Sequence, residues 1–582
     1  MGLSKYGNYD RHPVKVFEGL PGEAAEGFEN VISKLRAALG SVNKTKKILC
    51  FDYYPGVTKE TLFALAKGLS YDALIDMDEA AKSEEELENE FRDFITDDRV
   101  FGVMCHKNVD SLYSEEKLKA LKEKLESITV GTVVVTGFGT RLLTRGDVNV
   151  YCSITRWEIQ LRYRKGMPNW NHTNYGMPPL EKYKRGFFIG YRMADRYKKA
   201  YIDDVDFILE TEDDNTPKLI GKRAYDAVMG RFSKEPFRTE PYFDPGVWGG
   251  TWMRDNFGLD KDQPNFAWSF DGVPEENAIN ARIDGVTVKL PSVDVVFKHP
   301  VSLLGNRVHA RFGTEFPIRF DMLDTVGGGN LSLQVHPLTE YIQDTFGMHY
   351  TQDESYYILD TKDEEGGFVY LGLQKDVDRQ KMAEDLRNSS KGEYPFPAEN
   401  YVNKVPVKKH DHVLIPAGTV HCSGRDVMVL EISATPYIFT FKLWDWGRVG
   451  LDGRPRPIHV EHGLKNIRFE RDTDFVCNEL VHMERTLFEA DGVKAERTGL
   501  HEREFIDTVR YTLEKPLEVE MKDTVHVVNL VDGRAAVIES TDGSFAPFEV
   551  HYAETVIVPA SVGKYRIVPD DASVKMIVAS VA

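Results

Sequence analysis

The sequence predicts a multidomain protein: an N-terminal α/β domain at residues 1–235, then two all-β domains at 236–465 and 466–582. Three observations predict it. The chain has 582 residues, several times the roughly 150 residues of a typical domain. Up to about residue 235, strand-like and helix-like patterns alternate, the signature of a parallel sheet. From about residue 240 the texture changes to short apolar or alternating runs broken by Gly, Pro and Asp, which reads as sandwich or barrel.

In the first region Lys47–Tyr53 (KILCFDY) is a buried-strand run closed by Pro55-Gly56. Leu62, Leu65 and Leu69 at helical spacing predict a helix near Lys59–Leu69. Ser114 is placed to cap a helix over Glu115–Ser127, with Leu118, Leu121 and Leu125 on one face. Thr132–Thr136 is a second buried strand. It is followed by Gly137-Phe138-Gly139, but no third glycine completes a dinucleotide turn, and no Gly-x-x-x-x-Gly-Lys-Ser/Thr occurs. Nucleotide binding by a P-loop is therefore not expected, and the role of this domain stays open. Between Arg156 and Lys199 there are 11 Lys/Arg against 3 Asp/Glu, interleaved with aromatics such as Trp157, Trp170 and Tyr191. This patch reads as an anion site or as cations that pair internally and lay their stems on rings; the second reading is favoured.

In the β region the expected strands are Val286–Leu290, Asn330–Val335, Ser355–Leu359, Phe368–Leu373, Val413–Ile415 and Val427–Ile432, with one helix at Asp376–Arg387. Asp532-Gly533 and Asp542-Gly543 read as hairpin turns in the last domain. Val556–Ala560 echoes Val413–Ala417; five residues past the shared proline stand His421 in one copy and Lys564 in the other. The last domain is thus expected to be a related barrel without a metal ligand there.

Composition bounds the function. A net charge of −19 argues against general nucleic-acid affinity. No run reaches the roughly 18 apolar residues of a membrane span, and the N-terminus has no apolar signal core. Five scattered cysteines without a Cys-x-x-Cys pair suit a reducing compartment. The expectation is a cytoplasmic protein with no nucleic-acid or membrane partner; association of identical chains is left open.

Chemistry concentrates in Gln334-Val335-His336, Glu354 and His421. Gln334 and His336 are two apart and face the same way on a strand. Two imidazoles, a carboxylate and an amide make a pocket for one divalent transition metal, a Lewis acid toward a substrate oxygen.

These residues and their surroundings resemble a cupin (jelly-roll) barrel, specifically class I (type I) mannose-6-phosphate isomerases, over residues 240–582. The similarity rests on Asn330–Pro337 (NLSLQVHP), Asp353–Leu359 (DESYYIL), Ile415–His421 (IPAGTVH), Trp248-Gly249-Gly250, and Asp445–Arg448 with Gly453–Arg456 and His459. The resemblance implies metal ligands Gln334, His336, Glu354 and His421, with zinc as the ion, and conversion of mannose 6-phosphate to fructose 6-phosphate through a cis-enediol. It also implies catalytic roles for Lys442, which stands where the family has an arginine, and for Arg448, with Ser332 on the substrate side. The chain departs from the family at three places. Asp321 and Gln352 stand where lysines are common, and Asn265–Phe270 (NFAWSF) lacks two carboxylates. Those departures keep two alternatives open: a non-catalytic cupin that binds sugar or regulates, and an isomerase or epimerase of an unphosphorylated sugar.

Overall fold

The computed structural model describes residues 6–582 except Tyr437, Asp452, Glu502 and Arg503. Two compact units emerge: Val14–Arg231 with Ala278–Lys298, and Phe232–Asn277 with His299–Ala582 and the stretch up to Pro13.

The first unit is built on β1 (Ala24–Glu26), β2 (Lys46–Tyr53), β3 (Ala73–Asp76), β4 (Gly131–Gly137), β5 (Val148–Ser153), β6 (Phe207–Glu210) and β7 (Lys218–Gly221), in the order β1-β7-β6-β5-β2-β4-β3. Strands β3, β4, β2, β5 and β6 are mutually parallel, β7 is antiparallel to β6, and β1 is antiparallel to β7. The last five residues of β2 are buried, as in a strand covered on both faces. Lys59–Leu69 is helical, buries Leu62, Leu65, Ala66 and Leu69, and stops at Ser70 with φ 58°. Ser114 caps Glu115–Ser127 by accepting the Lys117 N–H.

Val286–Pro291 also lies in this unit, paired with Ala278–Ile283, which in turn runs parallel to Val14–Phe17. The sequence groups Val286–Leu290 with the β region because alternation reveals a strand but not its sheet. The basic stretch is largely neutralised inside the unit. Arg156 meets Asp195, Lys198 meets Asp294 at 2.6 Å, and Lys182 and Lys184 donate to backbone carbonyls. Arg156 and Arg192 also lie over the Tyr191 and Phe187 rings.

The second unit contains two β-sandwiches. The first comprises β8 (Tyr242–Asp244), β9 (Trp268–Phe270), β10 (Ile318–Asp324), β11 (Leu333–Val335), β12 (Glu354–Thr361), β13 (Gly367–Leu373), β14 (Val402–Val407), β15 (His412–Ile415), β16 (His421–Ser423), β17 (Val427–Ala434) and β18 (Phe441–Trp444). Its sheets are ordered β15-β12-β17-β10-β9-β8 and β14-β13-β16-β11-β18. The second comprises β19 (Arg485–Ala490), β20 (Val493–Arg497), β21 (Ile506–Leu513), β22 (Leu517–Glu520), β23 (His526–Asp532), β24 (Ala535–Ser540), β25 (Phe548–His551), β26 (Thr555–Val558), β27 (Lys564–Pro569) and β28 (Val574–Val581). Its sheets are ordered β19-β20-β21-β28-β23-β26 and β22-β27-β24-β25. Apart from β18, each strand of the first sandwich has its counterpart eleven strands later, so the faint sequence echo is a topological repeat. By pairing register, Glu354, opposite Ile415, corresponds to His526, opposite Val558. Gln334 opposite His421 likewise corresponds to Glu520 opposite Lys564.

Three local expectations shift. β11 begins at Leu333 rather than Asn330. The helix expected at Asp376–Arg387 spans Arg379–Ser390, because Asp376 has φ 59° and Asp378 takes the cap by accepting the Gln380 and Lys381 amides. Asp532-Gly533 joins strands of opposite sheets, β23 and β24, so it is a corner and not a hairpin. Asp542-Gly543, in contrast, lies between the paired strands β24 and β25.

A buried ion cluster anchors this unit. Arg238 pairs with Asp271 at 3.1 Å and Glu554 at 2.7 Å, all three nearly inaccessible, with Tyr9 donating to Asp271 at 2.8 Å. Arg238→Met would leave two carboxylates buried without their cation. It is expected to destabilise the protein by about 3–5 kcal/mol, read as a fall in the chemical-denaturation midpoint.

Two buried imidazoles add a pH dependence. His412 bonds Ser355 Oγ at 2.8 Å and His526 bonds Tyr565 Oη at 3.1 Å. Burial pushes their pKa values to about 3 and about 4, with Arg510 reinforcing the first. The folded state therefore refuses a proton that the unfolded chain accepts below about 6.5. Stability present above that pH should fall as acid is added, by up to about 1.4 kcal/mol per unit for each histidine. Urea titrations at pH 7 and pH 5 of wild type and His526→Gln check this, since the variant's slope should be shallower.

Candidate metal centre

The strand pairing builds the site. β11 lies between β16 and β18, and its Gln334 sits directly opposite both His421 and Lys442. Residues opposite one another in a sheet share a face, so His421, Gln334 and Lys442 form one row. Glu354 opens β12 in the facing sheet.

The ligand atoms of His336, Glu354 and His421 lie within 4.8 Å of one another, and all three residues are buried. Glu354 Oε1 is 2.7 Å from His421 Nε2, and Oε2 is 3.1 Å from His336 Nε2. Each imidazole turns its other nitrogen to a backbone carbonyl: His336 Nδ1 to Phe439 O at 3.2 Å, and His421 Nδ1 to Thr419 O at 2.9 Å. These Nδ1 contacts fix the orientation of both rings and turn both Nε2 atoms toward the carboxylate. Gln334 closes the fourth side, its amide 3.2 Å from His421 Nε2.

This set fits a divalent metal. His336 Nε2 and Glu354 Oε1 are buried atoms without a hydrogen-bond partner, a costly arrangement in a site meant to hold only protein. Two imidazoles, a carboxylate and an amide oxygen suit Zn or a neighbouring first-row ion. Burial raises the Glu354 carboxyl, but His336 and His421 outweigh it and hold it well below the usual carboxylate range. It is therefore ready to bind a cation.

The sequence misses a second group on the facing sheet. Arg319 and Asp321 on β10 and Glu431 on β17 are all buried, and Asp321 pairs directly with Glu431. Arg319 reaches Asp321 at 3.3 Å and Glu431 at 3.2 Å. Gln352 bridges inward, its amide donating to Glu354 at 3.0 Å and to Glu431 at 3.2 Å. Burial raises Asp321 to about 7 despite Arg319; burial, then Asp321 and Glu354, raises Glu431 well above the usual carboxylate range. The two departures from the family's lysines, Asp321 and Gln352, thus belong to one network. Its signal was legible only as Arg319-x-Asp321 and as the lone acid in the apolar run Val427–Ala434.

The three remaining expected residues are Lys442, already in the row, Ser332 and Arg448. Ser332 Oγ donates to Asp445 Oδ1 at 2.8 Å, and Arg448 reaches that oxygen at 2.5 Å and the Asn330 carbonyl at 2.7 Å. Arg456, left without a role by the sequence reading, meets Asp445 Oδ2 at 3.1 Å. Lys442 differs from both arginines: its ammonium has no hydrogen-bond or ion-pair partner among the described residues. Burial pushes its pKa down to about 7, with Arg456 and Arg448 adding to the shift and Asp445 opposing it.

Comparison with known proteins divides the chain in two. Residues 27–234 match a family described as "Domain of unknown function (DUF8485)". The mannose-6-phosphate isomerase of Streptococcus mutans serotype c is 27% identical over 233 residues, covering 40% of this chain and 67% of that protein. Mannose-6-phosphate isomerase ManA of Bacillus subtilis is 26% identical over 237 residues, covering 40% and 68%. A crystal structure of the mannose 6-phosphate isomerase from Bacillus subtilis aligns with a TM-score of 0.47 at 18% identity, over 60% of this chain and 99% of that one. Among the described residues, no helix is long and apolar enough to cross a membrane.

Proposed function

We propose that the second unit is a metal-dependent aldose–ketose isomerase of a hexose phosphate, by default interconverting mannose 6-phosphate and fructose 6-phosphate. One observation carries the reading: a buried His336/Glu354/His421 cluster stands in line, across Gln334, with a Lys442 that has no ion-pair partner among the described residues. The curated relatives named as mannose-6-phosphate isomerases support the substrate class. A divalent ion held by Gln334, His336, Glu354 and His421, zinc by its donor set, would supply Lewis-acid polarisation of the substrate carbonyl.

The other steps belong to the protein. Arg448 and Arg456 carry two positive charges against the single carboxylate of Asp445 and present a net cationic surface for an anionic group. Ser332, held by Asp445, orients a substrate hydroxyl. Isomerisation moves one proton from C2 to C1 and another from the C2 hydroxyl to the C1 oxygen, and the first transfer needs one group able to hold that proton near neutral pH. Lys442 Nζ, with its pKa near 7, takes that role: as the free amine it accepts the C2 proton, and as ammonium it delivers it to C1. Asp321 and Glu431, pushed upward by burial, keep the facing wall from adding two full negative charges beside the enediolate.

The test is a coupled assay of full-length protein, metal-reconstituted, with mannose 6-phosphate, other hexose phosphates and free mannose. Turnover on a phosphorylated aldose, lost on chelation, is the expected result. Binding without turnover on any of them would replace the isomerase reading with a sugar-binding one, and equal rates with free sugar would remove the phosphate from it.

A further inference from the structure

His421 reaches the centre at the end of the turn Pro416–Val420, which joins β15 to β16. No residue of that turn belongs to the ligand set, yet it touches the supports of all three buried ligands. The Gly418 N–H donates to the His336 carbonyl at 3.0 Å. The Ala417 N–H donates to Asp353 Oδ1 at 2.8 Å, one residue before Glu354. The Thr419 carbonyl lies 2.9 Å from His421 Nδ1. A shift of the turn would therefore reach His336, Glu354 and His421 together.

The whole turn is buried, so its carbonyls, which have no strand partner, need donors from elsewhere. They come from the link between the two sandwiches, just past the helix Val460–Asn466. The Arg468 N–H donates to the Gly418 carbonyl at 2.9 Å. Arg471 supplies the rest. Its Nη1 donates to the Pro416 carbonyl at 2.5 Å, the Ala417 carbonyl at 2.6 Å and Thr419 Oγ1 at 2.7 Å. Thr419 Oγ1 in turn donates to the Pro416 carbonyl at 2.7 Å. One charged nitrogen thus gathers three oxygens of a single turn, and hydrogen bonds from a charged donor are the strong ones.

The arginine is itself tied down, since its carbonyl accepts the Leu373 N–H of β13 at 2.9 Å. Gly418 records how closely the link approaches. Its φ is 91°, and a Cβ there would lie 2.9 Å from Arg468 Cγ and 3.0 Å from the Asn466 carbonyl oxygen. Turn and link are packed face to face, with no room for a side chain between them.

We propose that Arg471 is a positioning residue for the metal centre: by fixing the Pro416–Thr419 turn it sets His421 against Glu354 and His336, so that metal affinity depends on the link between the sandwiches. The inference rests on the metal centre proposed above and adds to it a residue outside the ligand set. Groups that orient metal ligands from behind commonly change affinity by about ten- to a hundredfold when removed.

The test is the zinc affinity of the full-length protein, measured by competition with a chelating dye, alongside the visible absorption of the cobalt(II)-loaded form, which reports the ligand arrangement. Arg471→Met should weaken zinc by about ten- to a hundredfold and alter the cobalt spectrum. Arg471→Lys should recover part of the loss, because its ammonium keeps three donors and the charge on a shorter stem. Thr419→Val, which removes one of the three oxygens, should weaken zinc less, and combined with Arg471→Met less than additively. Should Arg471→Met not fold, Arg471→Lys and Thr419→Val carry the same test, and wild-type affinity in both would overturn the proposal. So would a zinc affinity for Arg471→Met within about twofold of wild type, or a fall in denaturation midpoint with zinc affinity and cobalt spectrum unchanged, which would make Arg471 a residue of the fold alone. A wild type that binds no zinc would overturn the centre and this role together, whereas unchanged variants of a zinc-binding wild type would overturn this role only.

Discussion

His421→Ala should lower bound metal from about one ion per chain to a small fraction of that, and isomerase turnover by on the order of a thousandfold. The size follows from what the residue does. His421 Nε2 is the nearest imidazole nitrogen to Glu354, at 2.7 Å, and its Nδ1 is spent on the Thr419 carbonyl, so no rotation supplies a replacement. Removing it leaves Glu354 buried with one imidazole instead of two, and a fully buried carboxylate poorly matched is costly in its own right. Elemental analysis and the coupled assay read the two effects separately. His336→Ala should behave alike, whereas Gln334→Ala, which removes a neutral amide, should weaken the metal without abolishing it. Full metal content in both histidine variants would remove the centre from these residues.

Lys442→Met should leave the metal in place and lower kcat by about a hundredfold or more, the range for loss of a positioned acid–base group. Its pH profile separates this role from a merely electrostatic one. Wild-type kcat should rise with pH through about 7 as Lys442 Nζ loses its proton and then level. In Lys442→Met that limb should vanish. Lys442→Arg keeps the charge but cannot give up its proton near neutral pH, so it should fail to restore kcat even if it restores KM. Recovery of kcat by arginine would reassign the residue to anion binding.

Much of this site was legible in the linear sequence. Gln334-x-His336 declares a shared strand face, and Pro416–His421 places an imidazole just past a turn; spacing alone carries both. Arg456 and Glu431 were not legible. Glu431 stands out only as the lone acid in the apolar run Val427–Ala434, which gives no partner, and only the pairing of β10 with β17 sets it against Asp321. The α/β alternation was equally plain, since buried parallel strands read as continuous apolar runs. The placement of Val286–Pro291 in that unit was not, because a strand's pattern says which face is buried and nothing about its neighbours.

The paired topology of the two sandwiches has a thermal consequence. Where the first surrounds its centre with Asp321, Glu354 and Glu431, the second is filled by Val528, Leu530, Ile538, Val556, Ile567, Met576 and their neighbours. On the proposed reading, one copy of this scaffold would hold a cation in its interior and the other would not. A ligand that binds only the folded form stabilises it by RT ln(1 + [L]/Kd), and here that gain falls on one copy. Heating the holoprotein in a calorimeter should melt the unit as one event. A chelator should then split the endotherm, moving the first sandwich to lower temperature and leaving its duplicate close to where it was.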